Sequence, residues 1–428
     1  MFEPLFLTVA FTAMLVVVYL VLVLLFEPPL PYTITRVPPV PLDSPKYLRI
    51  LEALTDSTVH WYTRVEVLTN GPSFYESELE AIRNAQHSIN LEAYIFQKGE
   101  LTARFIEAMA ERAREGVRVN LVVDAIGSFG LRRRHVRELL DAGGRVEVYH
   151  PLRWHSIFRL NHRTHREILV VDGKIGFVGG AGFADHWLKD SKRHPRWRDT
   201  MVRIEGDAVV SLQSAFAENW LEASGELLCN GGYFPEIPRK PGNGGAALVV
   251  NSTPSTGRST RARILFQMLL ASATKYIHIT TPYFLPDYSA RTELIRALRD
   301  RGVEVVILTP GTKNDHLLTR RSSRRLYGEL LQAGAKIYEY EPAMMHTKCL
   351  VVDGVWSVTG STNFDPRSFG INDEINLAVC DPDLAARLDR DFLEDLSSSR
   401  RISYDSWKKR PHWERAHEWL GWLLERQQ

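Results

Sequence analysis

The chain is poor in cysteine and carries little net charge. Its 428 residues include three cysteines, Cys229, Cys349 and Cys380, with no CxxC pair and no metal-like spacing. Nothing in that pattern implies a disulfide framework or a metal knot, and the three read as buried or partly buried thiols. A net charge of +2 excludes a global polycation, so any anion binding must come from local clusters. Long apolar runs are also missing, with one exception. From Leu5 to Phe26 the chain reads LFLTVAFTAMLVVVYLVLVLLF, with no charge between Glu3 and Glu27. At helical rise this run spans roughly 33 Å, enough for a bilayer's hydrocarbon core. It has no basic region before it and no A-x-A-like site after it, which argues for a retained anchor over a cleaved signal peptide. Arg36, Lys46 and Arg49 follow the run, which places the rest of the chain in the cytoplasm of a single-pass cell-membrane protein.

What is present suggests two folding units, each long enough to bury a core. Residues 1–27 form the anchor and 28–49 a proline-rich, semi-rigid spacer. A Gly/Pro-rich break at 231–246 separates 50–230 from 247–428. These two segments repeat each other. NLEAYIFQ (90–97) matches HITTPYFLP (278–286), and EGVRVNLVVD (115–124) matches RGVEVVILTP (301–310). DAGGRVEVYHP (141–151) matches QAGAKIYEYEP (332–342), and HREILVVDGKIGFVGGAGF (165–183) matches HTKCLVVDGVWSVTGSTNF (346–364). The order is kept and the offset stays between 181 and 191 residues, far too long for a solenoid. Helical patterns such as LTARFIEAMAERAREG alternate with the strand-like runs, so the expected fold is two duplicated α/β/α domains packed about a pseudo-twofold axis.

The repeated frame H-x-[E/K]-x-L-V-V-D carries the chemistry. Strand alternation puts His346 and Lys348 on one face, and His165 and Glu167 likewise. An imidazole beside a fixed cation suits a phosphodiester, the lysine neutralising oxygen charge while the imidazole attacks phosphorus. Two histidines from two copies suit two-step chemistry, one phosphorylated in transit and the other moving protons. Asp172 and Asp353 have the opposite parity and open a DG turn, so they read as supporting groups.

These paired motifs resemble the phospholipase D superfamily, and more narrowly the bacterial cardiolipin synthases. The likeness covers about residues 50–428 and rests on DAIGSFGL (124–131), NHRTHREILVVDG (161–173), WRDTMVRIEG (197–206), TTPYFLPD (280–287) and GSTNFDPRSFGINDE (360–374). The resemblance implies metal-independent, cofactor-free phosphatidyl transfer through a phosphohistidine. Carried over, His165 is the nucleophile and His346 the acid/base, with Lys348 and Asn363 binding phosphate oxygens. Ser361 orients that shell, Glu374 orients a histidine, and Asp199 is its counterpart in the first half. The substrates would be phospholipids at the membrane, with a lipid hydroxyl such as that of phosphatidylglycerol as acceptor. Anchor and flanks favour lipid over nucleic acid, and oligomeric state is not encoded legibly.

The chain departs from the family in its first half. Glu167 stands where the family has lysine, Gly182 stands opposite Asn363, and one apolar span replaces the two that many of these synthases carry. Arg163, on the parity of His165, could supply the missing cation. Alternatively, an ion pair to Arg163 or Arg198 could hold Glu167, or burial could protonate it. Two rivals follow: a phospholipase D or nuclease-like phosphodiesterase using water, and a weakened membrane scaffold. Among weaker signals, LRRRH (131–135) and TRRSSRR (319–325) could meet phosphate headgroups, and 412–427 reads as an amphipathic helix. His150 and His162 read as structural.

Overall fold

The computed structural model describes the chain except residues 1, 27–30, 152–160, 193, 230, 238–244, 255–259, 412–413, 416–417 and 419–428, and gives no side-chain account of 2–5, 20–26 and 318. Most of the expected C-terminal amphipathic helix, and much of the 231–246 break, lie outside the described residues.

The strands, in chain order, are β1 (Val59–His60), β2 (Thr63–Thr69), β3 (Ser88–Ala93), β4 (Arg118–Asp124), β5 (Arg145–Tyr149), β6 (Ile168–Val171), β7 (Ile175–Gly179) and β8 (Thr200–Gly206), then β9 (Ala246–Ser252), β10 (Tyr276–Thr280), β11 (Glu304–Pro310), β12 (Lys336–Tyr340), β13 (Cys349–Val352), β14 (Trp356–Gly360), β15 (Glu374–Cys380) and β16 (Ser399–Ile402). They form two sheets, ordered β2-β8-β7-β6-β3-β4-β5 and β1-β9-β15-β14-β13-β10-β11-β12-β16. In each, three strands run parallel through helical crossovers (β3, β4, β5 and β10, β11, β12) while the motif strand lies antiparallel on the first of them. The duplicated α/β architecture expected from the repeat is therefore present.

The sheets pack face to face. Ile168, Val170, Val178 and Val202 of the first sheet share one apolar cluster with Val249, Ile375, Leu377 and Val379 of the second. Because both faces of these strands are covered, they read as unbroken apolar runs in the sequence. Each outer face has its own core against helices. The motif hairpins turn on Asp172–Gly173 and Asp353–Gly354, with φ of 54°, 61°, 57° and 68°. Two successive positive φ values are what a two-residue primed hairpin turn requires, which explains the DG pair in both copies.

Two segments sit where the sequence did not suggest. Helix Pro45–Thr55 and β1 fall at the start of the expected 50–230 unit, yet they join the second half's core and sheet, with Val59 paired to Leu248. The described part of the proline-rich stretch is also bound to that half. Trp356 donates to the Leu42 carbonyl at 2.9 Å, and Arg296 to that of Ile34 at 3.2 Å. Of the three cysteines, Cys229 is exposed, contrary to the expectation of buried thiols, and the other two are half-buried. Helix Phe2–Phe26 has described side chains over 6–19, and every one of them is exposed. Among the described residues, no helix is long and apolar enough to cross a membrane.

Candidate active site

Each motif histidine is pinned by the opposite half. The backbone N–H of His346 donates to Arg198 O at 2.7 Å, and that of Arg198 to Met344 O at 2.8 Å. The mirrored bonds run from His165 to Asp373 O and from Asp373 to Arg163 O, each 2.9 Å. These crossed bridges bring the residue after each bridge, Asp199 or Glu374, beside the other half's imidazole. His346 Nδ1 lies 2.8 Å from Asp199 Oδ2, and His165 Nδ1 lies 3.0 and 3.1 Å from the two oxygens of Glu374. The expected pairing of two half-sites is realised as an exchange of orienting carboxylates.

Both carboxylates are completely buried. Burial alone would raise their pKa values, but their partners outweigh it and hold both below the ordinary range. For Glu374 these partners are His165 and the hydroxyl of Ser361, which donates to Oε2; Asn372 Nδ2 adds a longer bond at 3.4 Å. For Asp199 they are His346 and Lys348, together with the Thr200 N–H at 2.8 Å; Trp187 Nε1–H also donates to it, at 3.0 Å. An anionic carboxylate accepting from Nδ1–H fixes the tautomer and leaves Nε2 as the reactive nitrogen.

Lys348 is where its motif predicted. Its Nζ lies 3.0 Å from His346 Nδ1, 3.1 Å from Nε2 and 3.3 Å from Gly180 O. Burial lowers its pKa, against the pull of Asp199, Glu374 and Glu167. Burial and the Lys348 charge likewise depress His346, against Asp199. Asn363 is buried, and no hydrogen bond engages its side-chain amide among the described residues.

The charge-reversed copy resolves differently. Glu167 is 3% exposed and forms no ion pair among the described residues. Its Oε1 accepts the N–H groups of Tyr94 and Ile95 at 3.2 and 3.3 Å, while Oε2 is buried without a partner. Burial drives its pKa well above the carboxylate range, and those N–H groups and Lys348 recover only part of the shift. An ion pair holding Glu167 is therefore ruled out for both candidates. Arg198 is bound to Asp395 at 2.9 Å. Arg163 donates to the carbonyls of His162 and His150 and sits 3.6 Å from Asp124. The protonated carboxyl is the reading that geometry and burial favour.

The second departure touches the first. A Cβ on Gly182 would stand 3.0 Å from Glu167 Oε1 and 2.7 Å from Ile95 Cβ. A side chain at 182 would press on Ile95 and crowd Glu167 Oε1, so the two departures lie in contact.

Asp172 and Asp353 do not join the site. Asp353 accepts the N–H groups of Thr274, Lys275 and Tyr276 at 2.8–3.0 Å and the Thr274 hydroxyl at 2.8 Å. Asp172 accepts those of Gln86, His87 and Ser88 at 2.7–2.9 Å. Each staples the turn before the neighbouring parallel strand, at the far end of its motif. His150, read from the sequence as structural, is bonded to Glu222 at 2.9 Å.

Sequence reasoning missed the aromatic walls. Tyr94 meets the His165 ring edge-on at 5.2 Å, and Trp187 and Trp197 approach His346 at 5.2 and 5.3 Å. It also missed Asp365, whose carboxyl burial pushes up to about 6 in the neighbourhood of Glu374 and His165. Tyr94 and Trp197 lay within quoted stretches, YIFQ and WRDT, but nothing in the repeat marked them.

The family model described as "Cardiolipin synthase, PLD-like domain" matches residues 79–220 and 266–396. The cardiolipin synthase of Geobacillus kaustophilus (strain HTA426) is 36% identical over 402 residues, 93% of this chain and 79% of its own length. The major cardiolipin synthase of Bacillus subtilis (strain 168) is 36% identical over 366 residues, 84% of this chain and 74% of its own. Among solved structures, the phosphatidylserine synthase of Haemophilus influenzae Rd KW20 superposes with TM-score 0.68 at 16% identity, covering 90% of this chain and 100% of that one, which speaks to fold alone. With family model, relatives matched over about three quarters of their length and duplicated fold in agreement, the chain belongs to the phospholipase D-like cardiolipin synthase family, and it is an enzyme of the phosphatidyltransferase class.

Proposed function

We propose that this protein is a membrane-anchored phosphatidyltransferase that joins two phospholipids through a phosphohistidine. Its two repeats, 50–230 and 247–428, contribute one half-site each. The observation that carries this reading is the crossed pairing of His165 with Glu374 and His346 with Asp199. Two imidazoles, each oriented through Nδ1 by the opposite half, supply a nucleophile and a proton carrier for one shared phosphate. In the first step His165 Nε2 attacks phosphorus of a lipid such as phosphatidylglycerol. A P–N bond forms, the P–O bond to the headgroup breaks, and His346 gives the leaving oxygen its proton. In the second, a hydroxyl of another lipid attacks phosphorus as His346 takes back the proton and the P–N bond breaks.

Lys348 and the unengaged amide of Asn363 stabilise the phosphoryl oxygens. The depressed basicity of His346 is reversed when the phosphate anion enters, because a nearby negative charge favours imidazolium. Ser361 holds Glu374, and Glu167 adds no opposing charge because it stays protonated. The exposed apolar side chains of helix Phe2–Phe26, among them Phe6, Leu7, Phe11 and Val17, support an anchor that keeps the cleft at the bilayer, with the catalytic part in the cytoplasm.

The test is expression in a cardiolipin-deficient bacterium with lipid analysis, beside His165→Ala and His346→Ala. Cardiolipin that appears with the wild type and vanishes with either variant is the expected result. Phosphatidic acid without cardiolipin would replace transfer with hydrolysis. No lipid change from a folded, membrane-bound protein would leave only a scaffold. Resistance of the protein to alkaline carbonate extraction checks the anchor.

A further inference from the structure

The phosphatidyl-transfer reading needs two lipids, and only one of their phosphates reacts. The other lipid brings a second, non-reacting phosphate and its own acyl chains, which need a place outside the histidine centre. A cavity of about 490 Å³ lies beside that centre, between the ends of β4 and β5 and the segment 125–140. This is within the roughly 300–1,000 Å³ typical of small-molecule sites. Val123, Val136, Leu140 and Val146 make it apolar, and Val148 and Phe129, 44% and 79% exposed, stand at its rim.

Two observations give it chemistry. Arg132 and Arg133 line it, both are exposed, and neither forms an ion pair among the described residues. The corresponding basic run of the second half is partly engaged: Glu339 holds Arg320 at 3.0 Å and Arg324 at 2.6 Å. Moreover, the cavity's polar floor is wired to the catalytic strand. Asp124 accepts the N–H of Thr164, the residue before His165, at 3.3 Å. Ser128 donates to the carbonyl of Tyr94, whose ring meets His165.

We propose that this cavity is the site of the acceptor lipid, a phospholipid with one acyl chain in the apolar pocket and its non-reacting phosphate on Arg132 and Arg133. A doubly charged, planar-donor mouth on an apolar chamber matches an anionic lipid, whose phosphate and acyl chain need one of each. The proposal rests on the transfer reading but is separable from it. Exchange of labelled soluble glycerol into phosphatidylglycerol uses the donor lipid and the phosphohistidine but no second lipid. Glycerol oxygen attacks phosphorus, the P–N bond breaks, and His346 takes the proton.

The experiment measures cardiolipin formation and glycerol exchange side by side in phosphatidylglycerol mixed micelles, for the full chain and for Arg132→Ala/Arg133→Ala and Val148→Trp. The first variant removes the cations and the second occludes the rim from a partly exposed position that tolerates a larger side chain. The ratio of cardiolipin formation to exchange should fall at least tenfold in both. A ratio unchanged within twofold, whether both activities drop together or neither does, overturns the site. A wild type that exchanges glycerol yet makes no cardiolipin overturns the transfer reading instead. Binding then decides for the site alone: short-chain phosphatidylglycerol below its micellar concentration should bind His165→Ala protein with a stoichiometry of two. With Arg132→Ala/Arg133→Ala added it should fall to one, and a stoichiometry that does not fall refutes the site.

Discussion

Glu167→Gln separates two pictures of the first half-site by a wide margin. An ionised carboxylate about 5 Å from a phosphate, at an effective dielectric near 20, would oppose binding by about 3 kcal/mol. Removing that charge would raise kcat/KM by about 10²-fold. The structure instead has Glu167 3% exposed and, among the described residues, in no ion pair, and burial raises its pKa well above the carboxylate range, which favours the neutral acid. Glutamine keeps the carbonyl oxygen that accepts the Tyr94 and Ile95 N–H groups, so its kcat/KM should stay within about threefold of wild type. Steady-state transfer in mixed micelles at neutral pH measures this directly. A hundredfold gain would sink the protonated-carboxyl argument.

The same geometry predicts the outcome of restoring the family's lysine. Glu167→Lys leaves two part-buried N–H donors without their acceptor, at about 1–3 kcal/mol each, and sets a second ammonium near Lys348. A loss of about 2–6 kcal/mol is a large share of the roughly 5–15 kcal/mol that holds a domain together. The variant that matches the motif should therefore melt earlier and work worse. Increased activity with an unchanged melting temperature would count against the packing described here.

Three further outcomes follow from named contacts. Asp199→Asn and Glu374→Gln should each lower kcat by about 10²–10⁴ with KM little altered, since each removes the anion that orients the other half's histidine; initial rates at varied lipid check it. Asp353→Ala should cost about 2–5 kcal/mol in denaturant unfolding while the folded fraction keeps its kcat, because its carboxylate staples backbone donors at 274–276 and touches no imidazole. Glu78 is buried with no hydrogen-bond partner among the described residues, and desolvation raises its carboxyl pKa well above 4.5. Its contribution to stability is thus fully present below the ordinary glutamate value and lost as pH rises through the folded one, so Glu78→Gln should flatten the fall of melting temperature on the alkaline side, read by calorimetry across pH 5–9.

How much of this was written in the sequence depends on the range of the interaction. The hairpins were legible because the DG pair encodes a turn requiring positive φ at two residues, and the runs around it are covered on both faces. The duplication was legible because it repeats in order, and it located both histidines. The carboxylates Asp199 and Glu374 were placed by resemblance alone; nothing local says that a residue near 199 serves a histidine at 346. That link is two backbone bonds between halves, and it became visible only when Arg198 and Asp373 were seen bridging to the opposite motif. Asp172 and Asp353 show the converse. Alternation already put them on the other face and marked them as supporting groups, but it could not show that the donors they satisfy lie 77 to 86 residues away, at the start of the neighbouring strand. Glu167 and Gly182 looked like two separate losses in one dimension, fifteen residues apart. In three dimensions they touch: a Cβ at 182 would crowd Glu167 Oε1, the atom that accepts the N–H groups of Tyr94 and Ile95. A decaying half-site would have no reason to alter both partners of one contact in a compatible way. The His165–Glu374 bond beside them is kept, and on the proposed mechanism the charge work in this site falls to Lys348, beside His346.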